Sequence, residues 1–226
     1  MTARRVFIAG SHTDIGKTHV ACGLIAAARA AGLTTDAVKP IASGFDAADW
    51  ARSDPGRLLA ALGRPLTPAM LDAITPWRFA APLAPPMAAH QGGRTLPFAP
   101  VAQFCATRLA TSDADLFVVE GIGGVMSPLA DAATCLDLQL ALGIGALLVG
   151  GSYLGAMSHT LTALEVLRAR GQAVVAIVVS QDAKPDAPDF AASVAMLGAH
   201  AGTTPVLAAA RDGDTAWATQ ALALLT

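Results

Sequence analysis

The residues best suited to chemistry fall in a few short stretches. The first runs Gly10-Ser11-His12-Thr13-Asp14-Ile15-Gly16-Lys17-Thr18. A glycine-rich loop ending in Gly-Lys-Thr is the pattern of a phosphate-binding loop, provided a strand precedes it and a helix follows. The amides at a helix N-terminus have no intrahelical partner and point at an anion. Gly16 allows close backbone approach, Lys17 brings a point charge to the β- and γ-phosphate oxygens, and the Thr18 hydroxyl suits the magnesium that accompanies ATP. The usual spacing places four residues between the two glycines; here five intervene, Ser11 to Ile15. A loop one residue longer can still present its amides if it wraps around the nucleotide. The second stretch is Glu120-Gly121-Ile122-Gly123-Gly124. An acidic residue ending an apolar strand commonly assists the magnesium of phosphate-binding ATPases, and the glycines suit backbone brought close to a ligand. Lys39 and Asp54 are more ambiguous. Taken alone, Lys39 reads as a lysine at a strand end and Asp54, in Ser53-Asp54-Pro55, as part of a helix cap.

The elements around these residues are legible from hydrophobic pattern. Residues 6–9 form a short apolar run of the buried parallel-strand type, and an alanine- and leucine-rich helix follows from His19 to a glycine stop at Gly32. Further strands are expected at 36–40, 116–120, 146–150, 173–179 and around 206–207. Helices are expected from Ser53 on, at 100–110, 159–170, 187–199 and 216–225. Residues 65–100 are proline-rich and read as a long irregular stretch with one short strand near 77–79. Strands alternating with helices imply right-handed crossovers and one α/β domain over residues 1–226: a doubly wound, mainly parallel sheet covered on both faces, of P-loop NTPase type.

Composition narrows the function classes. The chain has 226 residues and a formal charge of −2, which marks no general nucleic-acid binder. Its three cysteines, Cys22, Cys105 and Cys135, lack metal spacing and read as buried thiols of a reducing compartment. His12, His19, His90, His159 and His200 are dispersed and make no metal set, although His12 lies within reach of a bound nucleotide. The most apolar region, 136–151, contains Asp137 and Gln139 and is too short for a membrane span. The N-terminus runs straight into the loop without a separable signal peptide, so the expected compartment is the cytoplasm.

Several stretches together resemble the dethiobiotin synthetase family: GSHTDIGKT, VKPIASG, Ser53-Asp54, VEGIGG with SPL after it, GSYLGAMSH, and FAAPLAPP, which looks like the family's F-x-x-P-x-x-P segment. They occur in the family's order along almost the whole chain, and the longer phosphate loop is itself a trait of that family. The resemblance implies an ATP- and magnesium-dependent cyclo-ligase. It joins carbon dioxide to 7,8-diaminononanoate through a carbamate and a carbamic–phosphoric anhydride, giving dethiobiotin for biotin biosynthesis, in a homodimer with active sites near the subunit interface.

The resemblance also implies roles. Lys17, Lys39 and Thr13 are the expected catalytic groups. Asp14, Ile15, Gly16, Lys17, Thr18, His19, Glu120, Gly121, Gly123 and Gln181 are expected at the nucleotide, and Thr18, Asp54 and Glu120 at the metal. Thr13, Lys39, Ser43, Gly123 and Gly124 are expected at the substrate. Gly155, Ala156, Met157 and Ser158 are expected to receive its carboxylate from the neighbouring subunit, as a helix N-terminus makes physically reasonable. The family's adenine-reading Asn-Asp pair is Gln181-Asp182 here, with the same donor and acceptor on a stem one methylene longer. Asp14 stands where glutamate is frequent. Two other readings compete. Cobyrinic acid diamide synthases usually carry a further glutaminase region, for which this chain has no evident place. Switch ATPases of the partitioning and site-selecting type carry a lysine just after the first loop glycine, where this chain has Ser11.

Overall fold

The computed structural model describes residues 3–184, 186–211, 213 and 215–225. In chain order the elements are β1 (Arg4–Gly10), α1 (Lys17–Ala30), β2 (Thr35–Val38), β3 (Ile41–Ser43), a 3-10 turn at Trp50–Arg52, α2 (Asp54–Ala61), α3 (Pro68–Ile74), β4 (Trp77–Phe79), α4 (Pro85–Gln91) and α5 (Phe98–Thr111). There follow β5 (Leu116–Glu120), β6 (Pro128–Ala130), β7 (Ala133–Thr134), α6 (Cys135–Leu142), β8 (Ala146–Gly151), α7 (Ala156–Ala169), β9 (Val174–Ser180), α8 (Phe190–His200), β10 (Val206–Ala209) and α9 (Ala216–Leu224).

Six strands form one sheet in the order β10-β9-β8-β1-β5-β2, and every neighbouring pair is parallel. The chain leaves β1 toward β2, returns to insert β5 between them, and then builds β8, β9 and β10 on the other side. That reversal beside β1 makes the C-terminal ends of β1, β5 and β8 a crevice, the place where such sheets take ligands.

Alternate residues of each strand enter two separate cores. Phe7, Phe117, Val119, Leu148 and Ile177 face α5, α6, α7 and α8 through Val101, Leu136, Leu164 and Leu197. Val6, Ile8, Val118, Leu147 and Val178 face α1, α2, α3 and α9 through Leu24, Leu58, Leu71 and Trp217. Burial on both faces is why the strand sequences are continuous apolar runs rather than alternating ones.

The long stretch between residues 65 and 100 is the main departure from expectation. It is ordered into α3, β4 and α4, with β4 alone foreseen. The prolines that read as breakers start helices: Pro68 opens α3 beneath a Thr67 side chain that accepts from the Met70 amide, and Pro85 opens α4. Proline suits the first turn because its missing N–H would be unpaired there anyway. The β6–β7 ribbon and α6 were also unforeseen. α6 carries a Thr134–Asp137 capping box and a left-handed Gly143 at its end, signals that lay in the sequence but were eclipsed by its apolar character. Helix α7 begins at Ala156, ahead of the expected His159, which makes Gly155 its cap.

Cys105 and Cys135 are buried in this packing, and Cys22 is half-buried against it. Burial pushes Cys22 and Cys105 up to about 12 and raises Cys135 as well. Since the thiolate is the reactive form, native protein at pH 8 is expected to resist iodoacetamide at all three, and denatured protein to take up three equivalents, read by intact mass. Fast alkylation of Cys105 or Cys135 in native protein would show that the core opens at α5 and α6.

Candidate functional site

The crevice holds a cavity of about 970 Å³ at the C-terminal ends of β1, β2 and β5. Its floor is the turn from β1 into α1. Gly16 caps α1 in the left-handed conformation, with φ 99°, and no side chain occupies the helix N-terminus. A Cβ at residue 16 would collide with the Ser180 hydroxyl, so glycine is required for both reasons. The Lys17 ammonium donates to the His12 carbonyl at 3.1 Å across the loop. Burial lowers its pKa, and the neighbouring Lys39 ammonium lowers it further.

The side wall is an ionic cluster built from three elements. Lys39 follows β2 and is 4% exposed; its Nζ lies 2.6 Å from Glu120 Oε1 and 2.9 Å from Asp54 Oδ2. Glu120 ends β5, and its Oε1 also accepts from the Thr18 hydroxyl at 2.6 Å. Glu120 is fully buried, and its Oε2 has no hydrogen-bond partner. Burial disfavours the Lys39 ammonium, but the carboxylates of Glu120 and Asp54 outweigh it and raise the pKa. For Asp54, burial pushes upward, yet the Lys39 ammonium more than offsets it and holds the carboxyl below the ordinary range. The ambiguity over Lys39 and Asp54 resolves toward the cavity. Asp54 is the first residue of α2 and turns its side chain to Lys39, while the Ser53 hydroxyl donates back to the Trp50 carbonyl rather than capping the helix.

Of the residues singled out in the sequence, Thr13, Asp14, Gly16, Lys17, Thr18, His19, Lys39, Ser43, Asp54, Glu120 and Gly123 line this one cavity. Ile15 does not; it is buried, and its Cδ1 lies where a Cβ on Gly151 would sit. Gly121 lies behind the cavity, where a Cβ would meet Cys135 Sγ at 2.6 Å and the Phe7 ring at 2.9 Å. Gly124 lies under the phosphate loop, 3.1 Å from the Ser11 carbonyl by the same measure, and its amide donates to the Ser127 hydroxyl at 2.7 Å.

Gly155, Ala156, Met157 and Ser158 lie away from the cavity, at the start of α7. Nearby, His12 stacks on His159 at 5.6 Å, and Tyr153 hydrogen-bonds His159 at 2.7 Å. Gln181 stands just past β9, outside the lining. Its Oε1 accepts from the Arg211 amide at 3.2 Å while Arg211 Nε donates to the Gln181 carbonyl at 2.9 Å. Arg211 itself lines the cavity, as do Arg52, Arg57, Phe45 and Leu83. Leu83 lies within the FAAPLAPP segment, whereas Arg211, Arg52 and Phe45 carried no local motif. Arg57, one helical turn after Asp54, had a positional signal.

The donor set at the cavity fits a hard divalent cation, since Thr18, Asp54 and Glu120 offer oxygen only and Glu120 Oε2 is a buried acceptor without a partner. Among the described residues no His/Cys/Asp/Glu group of three or more forms a metal cluster. No helix among them is long and apolar enough to cross a membrane.

Fold and cavity together define a nucleotide-binding protein of the P-loop NTPase class. A family model described as an AAA domain matches residues 4–211. The chain is 55% identical over 222 residues to the ATP-dependent dethiobiotin synthetase BioD of Phenylobacterium zucineum, covering 97% of this chain and 95% of that protein. The Caulobacter vibrioides enzyme of the same name is 51% identical over 211 residues, 93% of this chain and 94% of its own. The chain belongs to the ATP-dependent dethiobiotin synthetase family. Two solved structures share the fold at low identity: the hydrogenase maturation factor HypB of Archaeoglobus fulgidus (14% identical, TM-score 0.59, covering 99% of this chain and 91% of that one) and the septum site-determining protein MinD of Pyrococcus horikoshii, complexed with Mg-ADP (13%, 0.52, 98% and 87%).

Two outcomes follow from the loop and from the Gln181–Arg211 pair. Lys17→Gln removes an ammonium that faces the cavity and is expected to cut turnover about a hundredfold or more with the fold retained, measured by circular dichroism and steady-state kinetics. Gln181→Asn is expected to sharpen the ATP/GTP ratio of kcat/KM, because the shorter amide is held closer to the backbone. An unchanged ratio would show that residue 181 does not read the base.

Proposed function

We propose that this chain converts 7,8-diaminononanoate, carbon dioxide and ATP to dethiobiotin, ADP and phosphate, the ring-closing ligase step of biotin biosynthesis. One observation carries the reading beyond family membership: two buried ammoniums, Lys17 and Lys39, converge on one cavity with the oxygen set of Thr18, Asp54 and Glu120. A hydrolytic switch needs only water as the phosphoryl acceptor. A synthetase must hold an anionic carbamate in line with an anionic γ-phosphate, and that requires additional positive charge. Ser11, whose amide is spent on the Val149 carbonyl at 2.9 Å, leaves the switch ATPases' second loop lysine without a counterpart.

In this reading one substrate amine adds to carbon dioxide and loses a proton, giving a carbamate. Thr13, Ser43 and the backbone at Gly123 position it beside Lys39. A carbamate oxygen takes the γ-phosphoryl group from ATP and ADP leaves, with Lys17 at the transferring oxygens. The second amine then attacks the carbamoyl carbon, the C–O bond to phosphate breaks, and the ring closes with release of phosphate and a proton. Thr18, Asp54 and Glu120 would hold magnesium, which when bound would supply charge neutralisation at the phosphates. The Ser43 hydroxyl is buried and has no partner in the free protein, as expected of a group that waits for a ligand.

The homodimer belongs to the same proposal. Leu154 is 90% exposed and Met157 39% exposed, flanking the Gly155 cap of α7. An apolar rim around an uncapped helix N-terminus suits a surface that closes on a second copy and delivers those amides to its substrate carboxylate. The cytoplasm, where ATP and the diamine are available, is the proposed compartment.

The separating experiment measures phosphate release with and without diamine and bicarbonate, alongside ATP affinity. Release is expected to depend on both co-substrates, with dethiobiotin detected by mass. Lys39→Ala is expected to slow the coupled reaction far more than it weakens ATP binding. Rapid release without diamine, equal in wild type and Lys39→Ala, would point to a switch ATPase.

A further inference from the structure

The groups suited to a divalent cation are already occupied by a cation of the protein's own. Lys39 Nζ sits 2.9 Å from Asp54 Oδ2 and 2.6 Å from Glu120 Oε1, the same oxygen that accepts from Thr18. All three groups expected at the metal are therefore held together around one ammonium, which is buried to 4% exposure. Lys17, the other lysine of the cavity, is bonded to the His12 carbonyl and, among the described residues, pairs with no carboxylate.

Such an arrangement sets a condition on metal entry. A divalent ion arriving alone would put two positive charges beside the Lys39 ammonium, which with Glu120 is buried although Asp54 is 46% exposed, and repulsion is weakly screened at the buried side of the pair. To make room, Lys39 would have to leave both carboxylates, and Asp14, the other carboxylate among the described lining residues, makes no ion pair with it. Uncompensated burial of a charge is costly enough to oppose that exchange. A triphosphate changes the balance. Its γ-phosphoryl oxygens give Lys39 a new anionic partner at the same moment that the metal takes over Asp54, Thr18 and Glu120.

We propose that Lys39 is an internal counter-cation of the metal site: it fills the Asp54–Glu120 pair in the nucleotide-free protein, excludes divalent metal, and is handed to the phosphate oxygens when metal and nucleotide enter together. The proposal rests on the reading that this cavity takes ATP and magnesium, and gives its lysine a duty in loading as well as in turnover. Metal then enters as the metal–nucleotide complex and not before it.

The test uses Mn2+ as the probe and no diamine, so it does not depend on which acceptor the enzyme uses. Bound Mn2+ is read as loss of the free-ion paramagnetic resonance signal. Nucleotide-free wild type is expected to show no protein-bound ion at millimolar Mn2+, and addition of the non-hydrolysable triphosphate β,γ-imido-ATP is expected to produce one per chain beyond what the nucleotide binds without protein. Nucleotide-free Lys39→Met, which removes the ammonium and keeps the stem, is expected to bind one Mn2+ per chain at least about tenfold more tightly than wild type. Its melting temperature should rise with Mn2+ while that of wild type does not. Adding Glu120→Gln to Lys39→Met should abolish both effects and so place the ion.

Stoichiometric Mn2+ binding by nucleotide-free wild type would overturn the proposal, a measurement that needs no variant to fold. So would Lys39→Met with wild-type Mn2+ affinity. Neither outcome bears on whether dethiobiotin is formed, and failure of wild type to form dethiobiotin would leave the Mn2+ result intact.

Discussion

The contact between Lys39 and Glu120 is the constraint on which the site depends. Glu120 ends a strand that is buried along its whole length, so its carboxylate cannot be hydrated and must find partners within the protein. Strand register puts Glu120 beside Ile8, one strand over, at the level where β1 gives way to the phosphate loop. β2, on the far side of β5, delivers Lys39 one residue past its own end. Three adjacent parallel strands thus bring a carboxylate, an ammonium and the Thr18 hydroxyl to one point, and α2 completes the set with Asp54 in its first turn. A staggered sheet or a different strand order would leave a buried charge unpaired, at a cost of several kcal/mol.

How much of this was legible in sequence depended on whether the signal was local. β5 was readable to the residue, because a run of four apolar residues and a glutamate, preceded by Asp113-Ala114-Asp115 and followed by glycine, has few alternatives. The phosphate loop was readable for the same reason. Lys39 and Asp54 were not, because each looks ordinary where it stands; their meaning comes from a contact across residues far apart in the chain, and only likeness to a family singled them out. The region from 65 to 100 misled because proline was weighed as a breaker when it stood at first helical turns. Arg211 and Phe45 reach the cavity through tertiary placement, with no pattern of their own.

Two helix starts in the structure are capped by glycine in the left-handed region, Gly16 before α1 and Gly155 before α7. At three other helices a side chain does this work: Thr67, Thr134 and Asp189 each accept from an amide of the helix they precede. A side-chain cap satisfies the free amides and screens the positive end of the helix dipole. A glycine cap leaves both available. The first such end opens into the cavity that takes phosphate; the second opens outward, beside exposed Leu154 and Met157.

The loop that departs from the common spacing shows how the extra residue is absorbed. Asp14 has a positive φ of 56° and Gly16 one of 99°, so the chain reverses twice within three residues. Aspartate tolerates the left-handed region better than most residues, and glycine tolerates it freely. Between them Ile15 points inward and is buried against β8 at Gly151, where even a methyl group would clash with it. The Ser11 amide bonds the Val149 carbonyl of the same strand. The added length is therefore not slack. Ile15 acts as an apolar peg that fixes the loop to the sheet, while Thr13, Asp14 and Gly16 on either side of it remain on the cavity. A loop held in this way is shaped before nucleotide arrives, which lowers the ordering cost of binding.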